Sequence, residues 1–188
     1  LRLPSGVPVH TEAKLAGLPL SAALAAELAP LRVVLEPLNA EIVAADARLA
    51  AVAADDPLVA RLQTAPGIGP VTAVAFIATL DDVTRFASAH HVEAYLGLTP
   101  REYSSGEHQH RGHISKTGNP RLRVLLVEAG WRLLRTNDAA AAPLRAWAER
   151  IAARRGRSIA AVALARRLAG ILFAMWRDGV DYRVRATA

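Results

Sequence analysis

The chain has 188 residues, 52% of them hydrophobic and 21% charged, enough apolar side chains for one full core and too few charges for intrinsic disorder. It contains no Cys, which excludes disulfide frameworks, thiolate-held zinc and thiol nucleophiles, so any chemistry rests on oxygen or nitrogen. The formal charge of +6 is uneven: residues 1–100 hold six Lys/Arg against ten Asp/Glu, and residues 101–177 hold fifteen against five.

Lys occurs only at Lys14 and Lys116, so the basic half is almost entirely guanidinium, which forks onto phosphate oxygens. Such a concentration points to a polyanionic partner, the plain alternative being arginines solvated on helix surfaces. Arg, Asp or Glu interrupts every Ala/Leu/Val stretch, so no membrane span is expected. Leu1–His10 has no Met, basic n-region or apolar h-region, and reads as the start of a fragment.

Residues 1–21, with Pro4, Gly6, Pro8, Gly17 and Pro19, read as an extended lead-in. Residues 22–62 read as a helical connector: Leu28, Leu31, Leu35, Leu38, Ile42, Ala45, Leu49 and Val52 recur at 3-4 spacing, a coiled-coil-like seam that fits either self-association or packing on the chain's own domain. Pro30 and Pro37 predict a start or kink near each. Asp55-Asp56-Pro57 opens a short helix through Leu62, with an Asp as N-cap and Pro57 at its first position. Further helices are expected over Val71–Leu80, over Phe86–Leu98 with Ser88 as cap, from Asn119-Pro120 through Arg135, from Pro143 to about Arg155, and from a Ser158 cap to about Arg177. Residues 99–118 lack helical periodicity and form a long irregular basic loop or a short hairpin at 101–116. The expected class is all-α, with the main domain over 63–178 and a tail at 179–188.

Three segments can carry chemistry. Pro66-Gly67-Ile68-Gly69-Pro70 lies between two helices in the manner of a helix-hairpin-helix, whose glycines permit a tight turn and leave N–H groups for a phosphate; it can equally be a mere connector. Residues 99–123 hold Ser104, Ser105, Ser115, three histidines and Arg101, Arg111, Lys116, Arg121 and Arg123, with glycines at 106, 112 and 118 that allow close approach of a ligand. A serine beside glycine among these cations can attack a phosphodiester once a base such as His108, His110 or His113 takes its proton; the alternative for Ser105 is a turn residue. The histidines lack an Asp or Cys at a familiar spacing, so no metal site is expected. The last helix has a broad apolar side and a basic one with Arg154, Arg155, Arg157, Arg166 and Arg167, either lining a nucleic-acid channel or solvated.

In order and spacing, Ala65-Pro-Gly-Ile-Gly-Pro, Phe86-Ala-Ser, Ala94-Tyr-Leu-Gly-Leu-Thr-Pro, Ser104-Ser-Gly, Arg111-Gly-His-Ile-Ser-Lys-Thr-Gly-Asn and Leu122-Arg resemble the C-terminal transposase domain of the insertion sequence one-ten (IS116/IS110/IS902) family over roughly residues 60–177. The resemblance implies DNA transposition and recombination with a guide RNA made by the element. It also implies a RuvC-like Asp-Glu-Asp-Asp metal domain, and a C-terminal serine that links covalently to DNA phosphate. That serine falls on Ser105, with Ser104 second. Arg111, Lys116 and Asn119 match motif positions for phosphate contact or loop support. The DNA-binding set expected on these grounds is Gly67, Ile68, Gly69, Arg101, Arg111, Lys116, Asn119, Arg121 and Arg123.

Residues 1–60 contain nothing like the family's acidic strand motif. The expectation is therefore a fragment without its own cofactor, Mg2+ belonging to the RuvC-like domain, that binds nucleic acid weakly and does not complete strand exchange alone. DNA, guide RNA and a second copy are the expected partners, in the cytoplasm and on the nucleoid. The alternative is a non-catalytic helix-hairpin-helix binding module.

Overall fold

The computed structural model describes residues 18–105 and 108–184, with backbone only for residues 103–105 and 108–111. The chain divides into two compact units, Leu1–Ala51 and Val52–Ala188. Among the described residues the secondary structure is seven α-helices, one 3-10 turn and one two-stranded antiparallel sheet, an all-α fold in class.

Helix α1 (Ala22–Ala53) makes up nearly all of the described part of the first unit. It runs through Pro30 and Pro37, so neither proline starts it. Each proline removes one N–H donor, leaving the carbonyls of Ala26 and Val33 without their usual partner. Both residues are exposed, so water can take those bonds. Along the apolar seam Leu31, Leu38 and Ile42 remain exposed at 60%, 52% and 40%.

The second unit is built on α7 (Arg157–Asp178), which packs against α2 (Pro57–Gln63), α4 (Ala89–Tyr95), α5 (Pro120–Leu133) and α6 (Ala142–Arg155). Its buried stripe alternates small and large residues: Ala160, Ala161, Leu164, Ala165, Leu168, Ala169, Leu172, Phe173 and Met175. The alanines let neighbours approach closely. Gly130 of α5 lies directly against the Ala161 carbonyl, where a Cβ would collide. Leu62, Phe76, Leu80, Leu96, Leu122, Leu126 and Leu133 close the core from the other helices, each fully buried Leu or Phe contributing about 1.5–3 kcal/mol. By length and mean hydropathy α7 also suits a membrane span, but half of its most apolar window is buried within the domain, as befits a core helix.

Local chemistry sets the ends. The Asp56 side chain accepts from the N–H groups of Leu58 and Val59 and Pro57 opens α2. Helix α3 (Pro70–Leu80) follows the Gly67–Gly69 turn, and a 3-10 turn (Val83–Arg85) is capped by Asp82. Gly179, in the left-handed region, ends α7. Ser158 is not the cap of α7: the helix begins at Arg157 with Gly156 (φ 88°) as N-cap and no side-chain cap bond. Gly156 both ends α6 and starts α7, a corner too tight for Ser158 to lie outside the helix. Beyond α7, the Tyr182 N–H donates to Thr64 Oγ1 at 2.9 Å, tying the chain back to the end of α2.

Strands β1 (Pro100–Ser105) and β2 (His108–Ile114) form the hairpin, pairing Pro100 with Ile114 and Ser105 with His108. The register shifts between Pro100 and Glu102, a bulge that twists the ribbon at its base.

Candidate nucleic-acid interface

The hairpin is held to the helices by a backbone clasp made from two sequence motifs. In Tyr95-Leu-Gly-Leu, Gly97 has φ +67°, and a Cβ there would strike the backbone of Thr117. In Lys116-Thr-Gly-Asn, Gly118 has φ +72°, and a Cβ there would strike the Tyr95 carbonyl. The Lys116 N–H donates to the Gly97 carbonyl at 3.1 Å and the Ser115 N–H to that of Thr99 at 2.8 Å. Arg123 closes the clasp from α5, its guanidinium donating to the carbonyls of Leu96 at 3.1 Å and Thr117 at 2.8 Å. Asn119 caps α5, accepting from the N–H groups of Arg121 and Leu122, while its amide donates to Thr79 Oγ1 of α3 at 3.1 Å.

Several residues expected at a DNA surface thus have internal partners. The Asn119 side chain and the Arg123 guanidinium serve the clasp, and Gly118 approaches protein backbone where a ligand was expected. Arg121 is exposed on the first turn of α5. Lys116, also exposed, holds a left-handed conformation (φ 58°). Arg101 is exposed on β1 and donates to the Ser115 carbonyl at 3.2 Å, bracing the hairpin base. Ser104 and Ser105 end β1 and Arg111 lies in β2 opposite Glu102; the side chains of these three, and of His108 and His110, lie outside the described residues.

In the Pro66–Pro70 turn, Gly67 takes φ +82°, and a Cβ on it would crowd Leu133 at 3.2 Å and the Ala129 carbonyl at 3.4 Å. Ile68 is buried in the core at 7% exposure. Gly69, with open space where a Cβ would stand, is the N-cap of α3 and supplies no side-chain cap. The turn therefore leaves open space at Gly69 and anchors itself through Ile68, while Pro70 brings no N–H and Thr72 and Ala73 are buried.

Between the hairpin base and the α6–α7 corner lies a groove of about 860 Å³. Ile114, Ile151, Ile159 and Val162 are among its apolar lining, and Lys116, Arg154, Arg155 and Arg166 supply cations. Among the described residues no carboxylate lines it. Glu93 of α4 holds Arg166: its Oε2 accepts from Arg166 Nε at 2.5 Å and stands 3.5 Å from His90 Nδ1. The sequence marked Arg154, Arg155 and Arg166 only as one side of the last helix, because nothing in it places β2 beside them. Among the described residues no three His, Asp or Glu gather as metal ligands.

A helical domain carrying a serine- and arginine-bearing hairpin on a glycine clasp is the architecture of the second unit. Residues 59–145 match the model of the transposase IS116/IS110/IS902 family, and the domain belongs to that family. Over 165 residues, 88% of the chain, it is 33% identical to a probable family 20 transposase of Pseudomonas aeruginosa, covering 49% of that protein. It is 36% identical over 126 residues, 67% of the chain, to the transposase for insertion sequence element IS1111A of Coxiella burnetii, and 33% identical over 146 residues, 77% of the chain, to an insertion element IS110 protein of Streptomyces coelicolor, covering 35% of each. The chain thus spans half or less of these relatives.

Proposed function

We propose that the chain is the serine-bearing, DNA-binding domain of a transposase that cuts and rejoins DNA through a covalent serine–phosphate intermediate, with Ser105 as nucleophile and Ser104 as the second candidate. The observation that carries this reading is the position of Ser105 at the last ladder pair of the hairpin, opposite His108, on a ribbon whose base is braced by Arg101. In the step proposed, Ser105 Oγ attacks phosphorus, an Oγ–P ester forms, and the P–O bond to the leaving deoxyribose breaks. The serine proton passes to a base and the leaving oxygen is protonated. Attack by the hydroxyl of another strand reverses the step and restores the serine. Joined to a RuvC-like domain with Mg2+, and with a guide RNA, the domain would act on DNA at the nucleoid in the cytoplasm. The exposed seam of α1 supports self-association.

The test is a covalent trap on DNA with the chain joined to its RuvC-like domain. Ser105→Ala abolishes the adduct under this reading; an undiminished adduct refutes Ser105, and its loss in Ser104→Ala alone moves the role to Ser104. A second reading is a non-catalytic helix-hairpin-helix module, favoured by the open space at Gly69. In that case transposition survives Ser105→Ala and is lost on substitution of Gly69.

A further inference from the structure

The groove between the hairpin base and the α6–α7 corner has two chemistries that belong to different parts of one ligand. Lys116, Arg154 and Arg155 attract anions, Arg166 is already paired with Glu93, and no carboxylate is among the described lining residues. Ile114, Ile151, Ile159 and Val162 offer an apolar lining in which Ile159 is 45% exposed. A free phosphate satisfies the cations and leaves this lining wet. Duplex DNA presents phosphates but keeps the faces of its bases stacked. An unpaired strand meets both requirements, with phosphates for the cations and apolar faces of sugar and base for the isoleucines and Val162. The volume, about 860 Å³, lies within the range of sites that enclose small organic ligands.

We infer that this groove binds a single strand of DNA with at least one unpaired base against Ile159 and Val162. The inference rests on the DNA-binding part of the proposed function and is independent of the identity of the nucleophile. Glu93 is the positioning residue of the site: its carboxylate fixes Arg166 at the groove wall, so one cation is set before the strand arrives and loses little freedom on binding. The groove is continuous with the ribbon, since Pro100, Gly112 and Ile114 line it. Ser105 lies five residues farther along β1, about 17 Å at strand rise. A strand entering the groove is thereby led along the hairpin toward its serine end.

The test uses the 188-residue chain and three fluorescent probes of about 12 nucleotides, a length matched to single-strand sites: an intact single strand, the same strand with abasic positions, and the duplex. The intact strand binds about tenfold tighter than the abasic strand, the scale of burying roughly 55 Å² of apolar base surface, and tighter than the duplex. Ile159→Glu erases the difference between intact and abasic strands. Arg154→Ala with Arg155→Ala weakens binding of both, and lowers the salt slope by roughly 1.4 for the two charges removed. Equal affinity for intact and abasic strands in the unaltered chain overturns the inference even if Ile159→Glu fails to fold, and leaves DNA binding itself standing. Stronger binding of a single-stranded RNA of the same sequence, or of an acidic amphipathic peptide that Ile159→Glu abolishes, assigns the groove to another partner and likewise overturns it. Retention of the base preference when the Ser105→Ala trap still forms adduct refutes the serine assignment and leaves the groove intact.

Discussion

Gly118 sits against the carbonyl of Tyr95 with no room for a side chain between them. Its partner contact, Gly97 against Thr117, repeats the relationship in the opposite direction, so two motifs some twenty positions apart interlock by backbone alone. The glycines of this region accordingly have different tasks. Gly118→Ala combines a collision with a positive φ and is expected to cost on the order of 3 kcal/mol. Gly112→Ala meets only the Arg101 carbonyl at 3.9 Å and should change stability by less than about 1 kcal/mol. Thermal denaturation of the two variants side by side measures the contrast.

Arg121 and Arg123 are two residues apart and differ in what they touch. Arg123 holds two carbonyls of the clasp, so Arg123→Met should destabilise the fold by about 2 kcal/mol, the cost of leaving such acceptors without a charged donor. Arg121→Met, on the exposed turn, should leave the melting temperature within error and weaken DNA binding. Urea titration and a binding isotherm on each variant separate the roles.

Asn119 both caps α5 and reaches Thr79. Asn119→Ala should cost about 1–2 kcal/mol. Asn119→Asp keeps an acceptor for the cap while giving up the amide that donates to Thr79, and should fall between Asn119→Ala and the unaltered chain. Equal losses in both variants would show that the cap bond contributes little.

Asp82 accepts from the backbone N–H and the hydroxyl of Thr84, and these bonds hold its carboxyl below the ordinary value of 3.8. A depressed folded-state pKa means that the associated stability is present above the unfolded value and is lost as pH falls through the folded one. The melting temperature should therefore drop less steeply below pH 3.8 in Asp82→Asn than in the unaltered chain, with the two curves parallel at neutral pH.

The helices were legible where capping chemistry is local. Asp56-Pro57 and Asn119-Pro120 mark their helix starts because an Asx side chain bonds the N–H groups two and three residues on, and the hairpin at 101–116 showed as a gap in helical periodicity. Ser158 misled because a serine near a helix start normally caps it, whereas here Gly156 turns the corner alone. The clasp was half visible: its glycines stand out in sequence, but their contacts join residues near 96 to residues near 117, a separation that no local pattern encodes. Arg123 reads in sequence as a DNA contact for the same reason, since nothing local shows that it holds the carbonyls of Leu96 and Thr117. Of the groove only Arg154, Arg155 and Arg166 stood out, as one basic side, since β2, α6 and α7 meet only in the folded domain.

The most direct measurement is mapping of the trapped DNA adduct by peptide mass spectrometry, using the chain joined to its RuvC-like domain. A deoxynucleotide phosphate is expected on the peptide spanning Ser104 and Ser105, with fragmentation placing it on Ser105. A DNA-linked peptide from any other part of the chain, or strand exchange without a protein-linked strand, would contradict that assignment.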